Sequence, residues 1–100
     1  MVKVITSENF RSEVLEFKGT VLLDFWAGWC GPCRAMAPVV DKLAEEHPEV
    51  RFGKVNVDEE GELASQFGIF SIPTFLVVKD GKVQAQTAGA RPKEALEALL

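Results

Sequence analysis

Apolar and polar positions along the 100-residue chain follow two alternating periods, and the changes between them mark nine elements. "VKVI" (2–5) reads as a short strand. A helix is expected over 8–17, with Ser7 as its N-cap and Phe10, Val14, Leu15 and Phe17 near helical spacing. Gly19 breaks it. "TVLLDFWA" (20–27) is almost continuously apolar, the pattern of a strand covered on both faces. From Gly31 to about His47 the period is helical again. Met36, Val39, Val40, Leu43 and Ala44 fall on one side, and Asp41, Lys42, Glu45 and Glu46 on the other. Pro38 lies inside this helix, removes one backbone donor and predicts a kink.

"VRFGKVNV" (50–57) predicts a third strand, and "EEGELASQFG" a short helix near 59–67 closed by Gly68. "TFLVVKDGKVQAQTA" predicts a β-hairpin turning at Asp80-Gly81. Pro92 opens a last helix in "PKEALEALL", with Ala95, Leu96 and Leu99 facing inward. The order β-α-β-α-β-α-β-β-α combines parallel βαβ units with a hairpin. It predicts an α/β domain over 1–100, with one mixed sheet and helices on both faces.

Composition narrows the class. A chain of this length buries roughly 60–70% of the surface that it exposes when unfolded, so it needs no staple to fold. Hydrophobic residues make up 47% and charged residues 26%, ordinary for a globular protein. The net charge is −4 and the eleven Lys and Arg residues are scattered, which argues against nucleic acid or an anionic membrane as partner. No apolar run approaches the ~18 residues of a membrane span. "MVKVITSENF" has neither a signal-peptide core nor transit character, so a cytoplasmic location is expected.

The chemistry gathers in "DFWAGWCGPCRAMAP" (24–38), which holds both cysteines, both tryptophans and an acid within an apolar run. Several roles compete for Cys30 and Cys33. A closed zinc site takes four ligands, and the chain offers two cysteines and one histidine. Iron–sulfur ligation fails on the same count. A structural disulfide over so short a loop stabilises by only about 2 kcal/mol, against ~3 for fifteen residues. Redox chemistry has a physical cause for each residue. A helix N-terminus favours the thiolate, which is the nucleophile. Pro32 suits a first helical turn, and spacing of three brings Cys33 to the same side as Cys30. Cys30 at the tip is the expected attacker and Cys33 the resolver.

Asp24 sits between Leu22, Leu23, Phe25 and Trp26. Full burial raises a carboxyl pKa by up to ~3–5 units. The acid is therefore either a solvent-exposed strand end or a proton carrier of raised pKa near Cys33.

"WCGPC" after "DFWA", "IPTF" some forty residues on and "AGA" near the end closely resemble the thioredoxin family, over essentially the whole chain and in element order. The resemblance implies a central mixed five-stranded sheet flanked by four helices, and reduction of protein disulfides. It implies that Asp24 acts as acid/base for Cys33, often through water, with Lys54 close by. Alone, Lys54 reads as a snorkelling side chain. Trp29 matches the family tryptophan bordering the substrate surface, and Trp26 reads as core. Gly31-Pro32 resembles the dipeptide of the reducing branch.

Pro73 alone reads as a trans turn residue; the family match implies a cis bond that leaves the Ile72 backbone free to pair with an extended substrate. Gly89 matches a groove glycine, and locally reads equally as a turn. The resemblance further implies a monomer with no bound cofactor. Its Cys30–Cys33 disulfide is reset by a flavin-dependent thioredoxin reductase drawing on NADPH. A disulfide oxidant or isomerase, and a non-catalytic scaffold, are the alternatives. Two positions depart from the family pattern. Gly28 replaces a polar residue and is expected to loosen its loop. Phe70 either tucks into the fold or adds an apolar contact that shifts partner choice.

Overall fold

The computed structural model describes residues 1–100. Five strands, β1 (Val2–Val4), β2 (Thr20–Trp26), β3 (Arg51–Asn56), β4 (Thr74–Lys79) and β5 (Lys82–Ala88), form one sheet in the order β1-β3-β2-β4-β5. β3 pairs parallel with β1 and β2, whereas β4 runs antiparallel to β2 and to β5. Three α-helices, α1 (Gly31–Glu46), α2 (Gly61–Gln66) and α3 (Lys93–Glu97), join a π-helical segment, Arg11–Leu15. The mixed sheet with helices on both faces is what the element order predicts, and its five strands and four helices match the architecture that the family resemblance implies.

Alternation along β2 divides the core. Val21, Leu23 and Phe25 face one layer with Phe10, Val14 and Leu63, beneath the π-helical segment and α2. Leu22 faces the other, with Met36, Val40 and Leu43 of α1 and Leu96 of α3. Period two puts Asp24 on this second side, under α1.

The strand registers explain where the site forms. Trp26 at the end of β2 pairs with Asn56 at the end of β3. The antiparallel β4 begins beside them, with Thr74 opposite Phe25 and also opposite Ala88, the last residue of β5. The segments after β2, β3 and β5 and the segment before β4 therefore converge on one edge of the sheet. Crevices beyond strand C-termini are the usual sites of α/β sheets.

The first helix differs from expectation. Ser7 does not cap it. The Ser7 N–H donates to Glu60 Oε1 at 2.9 Å, while Thr6 Oγ1 accepts the Glu8 N–H and Asn9 Oδ1 accepts the Thr6 N–H. The segment then winds wide, the Glu16 N–H reaching the Arg11 carbonyl at 2.9 Å. Leu15 is exposed, since it lies about 100° round a helix from buried Val14. The same rotation leaves Ala95 exposed, against its expected inward placement, beside Leu96, which is buried as expected. α1 runs unbroken through Pro38, which deletes one hydrogen bond without ending the helix.

Candidate active site

Residues 27–30 lead from β2 into α1, and Cys30 is the N-cap residue of that helix, with extended backbone. Its sulfur occupies the place of a capping side-chain oxygen, accepting the Cys33 N–H at 3.2 Å. Cys30 and Cys33 form a disulfide with their Cα atoms 5.2 Å apart. Exposure does not separate the two, at 4% and 3%. Their surroundings do. Cys30 Sγ lies 3.8 Å from the Ile72 carbonyl oxygen, whereas Cys33 borders a cavity of about 140 Å³, open to solvent, lined also by Asp24, Trp26, Arg34, Ala37 and Lys54.

Asp24 is no strand end. It lies mid-strand in β2, 7% exposed, and its Oδ1 has no hydrogen-bond partner in the protein. Burial pushes its pKa from 3.8 up to about 7, against the opposing pull of the Lys54 ammonium. Lys54 stands directly opposite on β3, in register with Asp24, its Nζ 5.7 Å from the Trp26 ring centroid. Both side chains share the α1 side of the sheet, and Cys33 is one turn into α1. That geometry brings an acid of near-neutral pKa, a cation and a cysteine to one small space.

The thioredoxin family model matches residues 1–100 of this chain. The chain belongs to the thioredoxin family. Curated relatives agree. A thioredoxin of Alicyclobacillus acidocaldarius is 52% identical over 97 residues, covering 96% of this chain and 91% of the relative. Thioredoxin 1 of Synechococcus elongatus is 50% identical over 93 residues, covering 92% and 87%. The thioredoxin of Bacillus subtilis is 47% identical over 96 residues, covering 95% and 90%. Thioredoxins are thiol–disulfide oxidoreductases, and the Cys30–Cys33 pair gives this chain the dithiol such an enzyme requires.

The outer side of this thioredoxin site is built by the loops that converge on the sheet edge. The Ile72–Pro73 bond is cis. Pro73 is buried, and its carbonyl accepts the Gly89 N–H at 2.7 Å. Gly89 has φ +91, a conformation that favours glycine, although a Cβ there meets nothing within 4 Å. Gly31 and Pro32 are exposed on the tip of α1. Trp29 is 70% exposed, and its indole N–H donates to Asp58 Oδ2 at 2.9 Å.

Asp58 is a site residue that sequence reasoning missed. It follows β3 in an ordinary polar run and meets Trp29 only because β2 and β3 end together. The Gly28 carbonyl accepts Arg34 Nη1 at 2.8 Å, which ties the loop before Trp29 to α1. Phe70 does not tuck into the fold; it is 96% exposed.

Proposed function

We propose that this chain reduces protein disulfides as a single domain of 100 residues, with Cys30 as the attacking group. The thiolate form of Cys30 is favoured by the N–H groups and dipole at the start of α1. It attacks one sulfur of a substrate disulfide, forming a mixed disulfide and releasing the other substrate sulfur as thiolate. Asp24, as carboxylate, takes the proton of Cys33. The cavity between them is roomy enough for a bridging water. The Cys33 thiolate then attacks the Cys30 sulfur, closing the Cys30–Cys33 disulfide and expelling the second substrate sulfur as thiolate, which takes up a proton from Asp24 or from solvent. Two electrons pass from the dithiol to the substrate.

Lys54 tempers the Asp24 pKa, keeping a useful fraction ionised near neutral pH. Trp29, Gly31, Pro32, Ile72, Pro73 and Gly89 border the place where the substrate chain lies. The dithiol is restored by a thioredoxin reductase that draws on NADPH, and the chain works as a cytoplasmic monomer with no prosthetic group of its own. No helix is long and apolar enough to cross a membrane.

The placement of Asp24 beside Cys33 carries this reading. Ionising the buried acid costs about 4 kcal/mol, a large share of the 5–15 kcal/mol that stabilises a domain. A passive scaffold has no use for such a cost. Trapping tests the mechanism. Cys33→Ser protein incubated with disulfide-bearing proteins should accumulate mixed disulfides through Cys30, identifiable by mass spectrometry. An absence of adducts in Cys33→Ser, with activity retained in the double variant lacking both cysteines, overturns it.

A further inference from the structure

Beside Cys30 the surface holds a groove of about 330 Å³ lined by Trp29, Val57, Ile69, Phe70, Ser71 and Ile72. None of these side chains is charged, and five of the six are apolar. The rim is made by the two most exposed aromatic rings of the molecule, Trp29 at 70% and Phe70 at 96%. Trp29 is held by Asp58, whereas Phe70 lies open to solvent. One exposed apolar residue is unremarkable; two large exposed rings lining one uncharged groove mark a docking surface.

The groove is continuous with the reacting sulfur. Ile72 lines it, and the Ile72 carbonyl oxygen is 3.8 Å from Cys30 Sγ. Phe70 precedes Ile72 by two residues, a span of at most about 7 Å of chain. An extended substrate segment running alongside Ile72 advances at about 3.3 Å per residue, and its alternate side chains share one face. When its cysteine meets Cys30, the side chain two positions away reaches Phe70. At 330 Å³ the hollow is near the lower limit for ligand sites, which suits single side chains and not a folded body.

We propose that Phe70 is a specificity-determining residue that selects, among disulfide substrates, those with a bulky apolar side chain two positions from the attacked cysteine. The proposal rests on the reading of Cys30 as nucleophile. That side chain enters the groove that Phe70 and Trp29 both line, and an acidic or small residue there leaves the groove unfilled. The ring acts in substrate capture, so the preference falls on kcat/KM.

The experiment uses disulfide-linked homodimers of short peptides with Phe, Ala or Asp two residues before or after the cysteine. Their cleavage by the reduced protein is followed by stopped-flow fluorescence. Wild type should cleave the Phe peptide of one series about tenfold faster in kcat/KM than its Ala counterpart, the discrimination typical of filling an apolar pocket. The Asp peptide should be slower still. Phe70→Ser should bring the Phe/Ala ratio close to one, and Phe70→Leu should retain part of it.

If wild type cleaves all the peptides at equal rates, or Phe70→Ser keeps the full preference, the specificity role is overturned while the disulfide reductase reading stands. If wild type cleaves none, both fall together. Sedimentation of both proteins covers another occupant. A wild-type dimer that Phe70→Ser dissociates, with no peptide preference, assigns the groove to a second copy of this chain and overturns the proposal.

Discussion

A carboxylate moved from water to the position of Asp24 goes from a pKa of 3.8 to about 7, chiefly because burial strips its hydration. The shift of roughly three units corresponds to about 4 kcal/mol of folding free energy. Its sign gives a pH signature. Below pH 3.8 the group is protonated in both the folded and the unfolded state, and folding costs nothing extra. Between pH 3.8 and 7 the folded state holds more protons, so stability falls as pH rises, and above pH 7 the whole cost is present. Asp24→Asn removes the charge at nearly constant volume. It should unfold at higher urea than wild type at pH 8, by about 2–4 kcal/mol, with the difference vanishing near pH 3.5. A variant less stable than wild type at pH 8 would show that Asp24 is not a buried strained acid.

The same substitution should slow release of substrate from the mixed disulfide by about 100-fold at pH 7, the usual contribution of a general base. At pH 9 the loss should shrink, because the more abundant hydroxide can take the Cys33 proton in place of the carboxylate. Single-turnover kinetics across pH measure both. Equal losses at pH 7 and 9 point to a structural defect instead.

At the scale of elements, close approaches between layers set limits that side-chain lists do not show. β3 contains Gly53 where a Cβ would stand 2.5 Å from Ile5 Cγ1 and 3.0 Å from Leu23 Cδ2. Ile5 follows β1 and fills the space over β3. Gly53→Ala should therefore force Ile5 aside and cost about 1–3 kcal/mol, read as a lower urea midpoint with an unchanged m-value. No loss of stability would mean that Ile5 relocates without strain.

The far end of α1, about 21 Å along the helix from Cys33, is tied to α3. His47 Nε2 lies 2.7 Å from Glu97 Oε2, and Lys93 donates to Glu46 at 2.6 Å. Glu46, His47 and Glu97 bring possible ligand atoms within 4.8 Å of one another, but they are already matched by hydrogen bonds and by Lys93. The His47 pKa is raised above 6.5, first by its bond to Glu97 and then by Glu49. A raised histidine stabilises fully below pH 6.5, and the gain disappears as pH climbs through the folded-state value. His47→Gln should lower the melting temperature more at pH 5.5 than at pH 9. An equal loss at both would assign His47 a neutral packing role.

For the whole molecule, much of the architecture was legible because strong periods and punctuation repeat along the chain. Both faces of β2 are covered, so its run is continuously apolar; α1 covers one layer, so Cys33, Met36, Val40 and Leu43 recur at helical spacing. Asp80-Gly81 gave the hairpin, with φ +50 and +81 at its turn. The first helix was less legible. Its N-cap, Phe10, has no side-chain cap, and the turn leading into it is held by Thr6, Asn9 and a contact from Ser7 to Glu60, fifty-three residues away, which no local rule contains.

The site divides in the same way. Local chemistry is enough to put Cys30 and Cys33 at a strand–helix junction, because capping, a proline in the first turn and spacing of three are all neighbours in sequence. By itself the sequence thus determined the elements, the dithiol and the oddity of an acid in an apolar strand. Tertiary structure alone decided that Asp24 faces α1 rather than the opposite layer, and that Lys54 stands in register with it. It also decided that Asp58 holds Trp29 and that Phe70 stays in solvent. Those outcomes depend on strand order, register and which helix covers which face. They are set by burial summed over the whole core, and no segment of the chain carries that sum on its own.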